Sequence, residues 1–258
     1  MNERHSEPIE PFRPSIRPSM AILTIYDDGV SEGEVVRIRR DITVVGRDRG
    51  HIRIQHDAGI SSPHVKITRS VKNEQNQWRL DDLQSETGLW IRVRKTELRD
   101  GIEFMVGRYK FRFKAAIASL ESNSDLERRI LGGSIPGNTQ FDRSDANQVS
   151  RAYASIESIS SANPLMLTTP RLHLIDGEYW IGRDPTCAFP IANDTFLAMH
   201  HVRIHLEHEK WFAETRGTPN GMWIRVDRLN VHKSCAFQIG EQRFHLNCNL
   251  VETMQEHA

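Results

Sequence analysis

Two stretches of this 258-residue chain repeat each other in the same order, and that repetition constrains the fold more than any other feature. Val45-Gly46-Arg47-Asp48 returns as Ile181-Gly182-Arg183-Asp184. Ile54 through Ile67 aligns with Ile191 through Ile204 without a gap, pairing His64-Val65-Lys66-Ile67 with His201-Val202-Arg203-Ile204. Trp78 through Phe113 aligns with Trp211 through Leu246, again without a gap. Inside that block Gly88-Leu89-Trp90-Ile91-Arg92-Val93 faces Gly221-Met222-Trp223-Ile224-Arg225-Val226. A unit of roughly 95 residues is too long for a solenoid repeat and is the length of a small domain.

Within each copy the local pattern is that of strands. Ile22-Leu23-Thr24-Ile25-Tyr26 and Val35-Val36-Arg37-Ile38 are rich in branched and aromatic residues. Ile52-Arg53-Ile54, Val65-Lys66-Ile67, Ile91-Arg92-Val93 and Phe111-Arg112-Phe113 alternate apolar and charged side chains, as half-buried strands do. Many short strands separated by Gly and Asp turns predict an all-β chain of two β-sandwiches. The alternation stops after Lys114, and Ser, Asn, Gly and Asp rise until it resumes at Arg171. We therefore expect a disordered leader over 1–19, one domain over 20–115, a polar linker over 116–164, a second domain over 165–253 and a tail over 254–258. Ser124 to Leu131 reads as a short helix within the linker.

Composition narrows the partners. Thirty-four basic and 34 acidic residues give a formal net charge of +0, so no global field draws the chain to nucleic acid or to an anionic membrane. No apolar run reaches the length of about 18 residues that a membrane helix needs. Met1 to Pro18 is charged, carries four prolines and lacks the apolar core of a signal peptide. The three cysteines, Cys187, Cys235 and Cys248, form no CxxC pair, which argues against a disulfide framework and a zinc site and for a reducing, cytoplasmic setting. His201, His205 and Glu207 share a strand face, but Arg203 lies between them and would repel a cation, so no metal is expected. Nothing resembles a nucleophile with its base or a phosphate-binding glycine loop, so neither an enzyme nor a cofactor is expected.

The ordered set of motifs resembles the forkhead-associated (FHA) family, whose signature is Gly-Arg, then Ser-x-x-His, then Asn-Gly on an eleven-stranded sandwich. The first copy offers Gly46-Arg47, then Ser61-Ser62-Pro63-His64, then Glu86-Thr87-Gly88. Such a resemblance implies a binding module for phosphothreonine. Phosphothreonine carries about −1.5 to −2 charge and three strong acceptor oxygens, and a guanidinium matches it with paired planar donors. Arg47 takes that role, Ser61 the family's phosphate-contacting serine, and Ser62 assists. His64 holds the loop in shape. Thr87 stands where the family has the asparagine that grips the ligand's main chain, with Glu86 beside it.

The second copy keeps Gly182-Arg183, His201 and Asn220-Gly221, but has Ala198 at the serine position, with His200 close by. Losing one hydrogen bond to a charged group costs about 1.5–3 kcal/mol, roughly ten- to a hundredfold in affinity. The first copy is therefore expected to dominate. Trp90 and Trp223 read as packing residues, and Gly88 and Gly221 as turn positions. The functional expectation is a phosphothreonine-peptide-binding adaptor acting downstream of a Ser/Thr kinase. The alternative is a phosphate-independent interaction or dimerisation module, which Thr87 and Ala198 favour. Thr139-Gln140-Phe141-Asp142 has the spacing of an internal phosphothreonine ligand, since some FHA domains favour an aspartate three residues on.

Overall fold

The computed structural model describes residues 21–26, 33–73, 75–116, 153–159, 171–175 and 177–248. The leader, the tail, the stretch read as a short helix and Thr139 lie outside these residues. The described residues are all-β. The first copy forms β1 (Ala21–Tyr26), β2 (Glu34–Ile38), β3 (Ile42–Gly46), β4 (Ile52–Arg53), β5 (Val65–Lys72), β6 (Gln75–Asp82), β7 (Leu89–Val93), β8 (Lys95–Glu97), β9 (Glu103–Val106) and β10 (Tyr109–Lys114). The second forms β11 (Ala154–Ser158), β12 (Arg171–Leu174), β13 (Glu178–Gly182), β14 (Phe189–Pro190), β15 (Val202–Glu207), β16 (Lys210–Glu214), β17 (Met222–Val226), β18 (Arg228–Val231), β19 (Ser234–Ile239) and β20 (Gln242–Asn247). Among the described residues no helix is long and apolar enough to cross a membrane.

The alternation read from the sequence sets which face each strand buries. Ala21, Leu23 and Ile25 of β1 are buried while their neighbours are not, and Phe111 and Phe113 of β10 behave the same way. The stretch expected to be linker needs correction. Ala154–Ser158 is a strand paired to β10 on one side and β12 on the other, as β1 is paired to β20 and β2. The second repeat thus starts before the boundary expected at 165 and well before the alternation resumes at Arg171. Ala154-Ser155-Ile156-Glu157-Ser158 is too polar to stand out, although Ala154 and Ile156 are buried.

The folded units also cut across the repeats expected at 20–115 and 165–253. One sheet has ten strands in the order β12-β11-β10-β9-β17-β7-β19-β20-β1-β2. Two five-stranded sheets, β18-β6-β5-β3-β4 and β14-β13-β15-β16-β8, complete the layers. One core joins first-repeat Leu23, Val45, Ile67 and Leu80 to second-repeat Phe237, Phe244 and Leu246. The other joins first-repeat Phe104, Phe111 and Phe113 to second-repeat Ile156, Ile181 and Ile204. Each sandwich therefore takes its first seven strands from one repeat and its last three from the other.

The exchange turns on the most closely repeated segment. β7 and β17 pair antiparallel with Ile91 opposite Ile224, so Gly-x-Trp-Ile-Arg-Val meets its own copy about a local two-fold. The chain then crosses between sandwiches at Arg94 and Asp227. Each crossing carbonyl is held by an amide of the other repeat: Thr215 donates to Arg94 at 2.8 Å and Asp82 to Asp227 at 2.8 Å. Trp90, Met105 and Trp223 pack together on the face of these strands away from the two main cores.

Candidate functional site

The first site is assembled by the turn after β3, the loop before β5 and the loop before β7. A side chain at Gly46 would run into the Arg49 carbonyl oxygen and Pro63, so glycine lets the turn lie flat against residues 61–63. The Arg47 amide donates to the Ser61 carbonyl at 3.0 Å, placing the two residues side by side. The Arg47 guanidinium donates from Nη1 to the Ala58 carbonyl at 3.3 Å and from Nε to Asp48 Oδ2 at 3.1 Å. It is 40% exposed, and its pair with Asp48 is a solvated contact of small worth.

Ser61 Oγ accepts the Glu86 amide at 3.1 Å, which leaves its own hydrogen available to donate. Glu86 thus serves the site through its backbone, while its side chain stays exposed. Ser62 Oγ accepts the amides of Asp48 and Arg49 at 3.0 and 2.8 Å, so its part is to fold the Arg47 turn. Thr87 Oγ1 donates to the Gly59 carbonyl at 2.8 Å, tying the loop before β5 to the loop before β7. Its lone pairs remain to accept a main-chain N–H. Trp90 Nε1 donates to the Thr87 carbonyl at 2.8 Å, so the buried tryptophan also supports the loop.

His64 is fully buried between these loops. Its Nδ1 accepts the Ser61 amide at 3.0 Å, which requires Nε2 to carry the proton and donate to the Gly88 carbonyl at 3.2 Å. Burial pushes its pKa below the ordinary 6.5, against the Gly88 contact and the charges of Asp82 and Asp57, so the ring is neutral. His201 repeats the arrangement, accepting from Ala198 at 3.0 Å and donating to Gly221 at 2.9 Å, with its pKa lowered first by burial. Gly88 and Gly221 have φ of +83 and +61, and each leaves room for an arginine of the other repeat, Arg225 and Arg92 respectively.

At the second site the Arg183 amide donates to the Ala198 carbonyl at 3.1 Å, matching Arg47 and Ser61. The Arg183 side chain is half-buried, and its Nε has no hydrogen-bond partner among the described residues. Asn220 Nδ2 donates to the Phe196 carbonyl at 2.8 Å, the contact that Thr87 makes to Gly59 in the first site. Thr87 therefore replaces asparagine in joining the loops. Arg92 Nη2 donates to the Pro219 carbonyl at 2.7 Å, so a first-repeat side chain props the second site's loop.

Sequence reasoning missed two groups. Asp57 Oδ1 accepts the Gly59 amide at 2.8 Å and Oδ2 accepts the Glu241 amide at 2.7 Å, linking the first site to the second repeat. Asp194 occupies the matching place and accepts the Phe196 amide at 3.0 Å. Both aspartates fall in the ungapped Ile54–Ile67 and Ile191–Ile204 blocks, and that shared position was the available signal. Arg92 and Arg225 are also matched between the copies, but their reach into the opposite repeat depends on the exchange.

Residues 43–107 match the family model of the FHA domain, from β3 to the glycine after β9. Among solved structures, the chain is similar to full-length Pml1p of yeast, at 21% identity over 37% of this chain and 87% of that one, with a TM-score of 0.27. It is similar to Mycobacterium tuberculosis EmbR in complex with a low-affinity phosphopeptide, at 21% identity over 37% and 24% of the two chains, with a TM-score of 0.24. A third structure, from work on phosphothreonine-dependent FHA domain interactions, is 25% identical over 35% of this chain and 91% of that one, with a TM-score of 0.23. No curated protein matches the chain.

Proposed function

We propose that this chain is a non-enzymatic adaptor that recognises phosphothreonine in partner proteins downstream of a Ser/Thr kinase, chiefly through the first site. The observation that supports the reading is the 3.0 Å bond from the Arg47 amide to the Ser61 carbonyl, which sets side by side a residue with a half-exposed guanidinium and one whose hydroxyl keeps its hydrogen to donate. A phosphate dianion there would take charge-assisted bonds from Arg47 and one from Ser61, with Thr87 accepting from the ligand backbone. Free thiols at Cys187, Cys235 and Cys248, the last two pushed by burial to about 12, fit a reducing cytoplasmic setting.

The test is a titration of matched phosphothreonine and unphosphorylated peptides against wild type, Arg47→Ala and Ser61→Ala. Ser61→Ala should weaken phosphopeptide binding about ten- to a hundredfold, and Arg47→Ala at least as much. Equal binding of both peptide forms by all three proteins would defeat the proposal.

A second reading applies to the second site. Phe196 and Met199, 62% and 48% exposed, flank Ala198 and present apolar surface where the first site presents hydroxyls. This favours a phosphate-independent protein contact there, and binding at that site should then be insensitive to phosphatase treatment of the partner.

A further inference from the structure

A groove of about 590 Å³ opens beside Thr87 and Gly59, and the phosphothreonine reading gives a role to Thr87 but none to the groove's other walls. Its opposite wall comes from the second repeat, at the β19–β20 turn Gly240-Glu241-Gln242, and Lys110 of β10 contributes to the lining. The turn is fixed in place. Asp57 Oδ2 accepts the Glu241 amide at 2.7 Å, Gly240 has a φ of +58 with Asp57 filling the space a side chain would need, and Gln242 Nε2 donates to the Tyr26 carbonyl. The Glu241 side chain is left exposed at the groove.

The strand exchange decides which charge stands here. In the repeat alignment Glu241 corresponds to Arg108. Arg108 instead lies in the other sandwich, with its Nε 3.9 Å from Asp194 Oδ2. An unexchanged first repeat would place a cation beside Asp57, whereas the exchanged chain places a carboxylate there. Lys110, which lines the groove together with His56 on the Asp57 side, is drawn over the Trp90 ring at 5.1 Å. Asp57 and Glu241 thus give the wall facing Thr87 an acidic character.

We propose that Glu241, supplied by the second repeat, selects a lysine or arginine side chain close to the phosphothreonine in peptides bound at the first site. The proposal rests on the phosphothreonine reading of that site. Because the carboxylate is solvated, its effect is modest and salt-dependent.

The experiment uses the full chain and two sets of phosphothreonine peptides, with lysine or with glutamate placed in turn at each of about four positions on either side of the phosphothreonine. Wild type should favour lysine about threefold at one position. Glu241→Lys should reverse that preference, with a change in the ratio of up to about tenfold. Arg108→Glu should leave it unchanged, since that residue sits in the other sandwich. An unchanged ratio in Glu241→Lys, or a shift in Arg108→Glu instead, overturns this inference while phosphate-dependent binding still stands. Absence of phosphate-dependent binding in every protein overturns the phosphothreonine reading and this inference with it.

Discussion

Protonation of His64 at Nδ1 would remove the acceptor for the Ser61 amide and charge a ring with no exposure to water. His201 faces the same loss at the second site. For both residues the folded pKa lies below the ordinary 6.5, so below that pH the unfolded chain binds protons that the folded chain refuses. The stability is present in full above pH 6.5 and falls as the pH drops through it. His173, also lowered by burial, adds to the slope. Each histidine contributes up to about 1.4 kcal/mol per pH unit in that range. Urea midpoints at pH 7.5 and 5.5 should separate clearly for wild type and move closer together in His64→Gln/His201→Gln. An equal separation in both proteins would mean these rings are not held neutral.

Much of the residue-scale site was legible in the sequence. Gly46, Arg47, Ser61, His64 and Gly88 stand out through the resemblance to the FHA motif, and the structure puts them on neighbouring loops. The actual tasks of Ser62, Glu86 and Thr87 were not legible. A hydroxyl that accepts two amides and one that contacts a ligand have the same letter in the sequence, and only the loop path distinguishes them.

At the scale of elements, β7 and β17 do two jobs. Each follows directly from a loop of a candidate site, and each passes the chain into the opposite sandwich. The first site therefore depends on strands that its own repeat does not contain. Phe237 of β19 shows this most directly: it is fully buried, stacks on Phe244 with ring centroids 4.8 Å apart, and packs against first-repeat residues. Phe237→Ala should cost about 3–5 kcal/mol. It should weaken phosphopeptide capture at the first site at temperatures where that sandwich opens, although the residue belongs to the second repeat. Chemical denaturation followed by peptide binding at rising temperature checks both effects. A loss confined to the second site would contradict the exchanged pairing.

On the scale of the whole molecule, the two sandwiches share one ten-stranded sheet. Residues 20–115 alone contain no β18, β19 or β20, and residues 153–253 alone contain no β8, β9 or β10. We expect neither segment, expressed by itself, to give a folded monomer with this pairing, and the two mixed to recover it. Dispersed amide resonances for each separate segment as a monomer, unchanged on mixing, would count against the interleaved arrangement.

The sequence by itself determined most of the strand content, the inward and outward faces, the doubling and the order of the motifs. These follow from alternation and local spacing, which a chain carries along its length. The tertiary structure alone decided which repeat completes which sandwich. Two nearly identical segments, Gly88–Val93 and Gly221–Val226, fit either partner equally well by pattern. Only the pairing of β7 with β17 places Glu241 at the first site and Arg108 at the second.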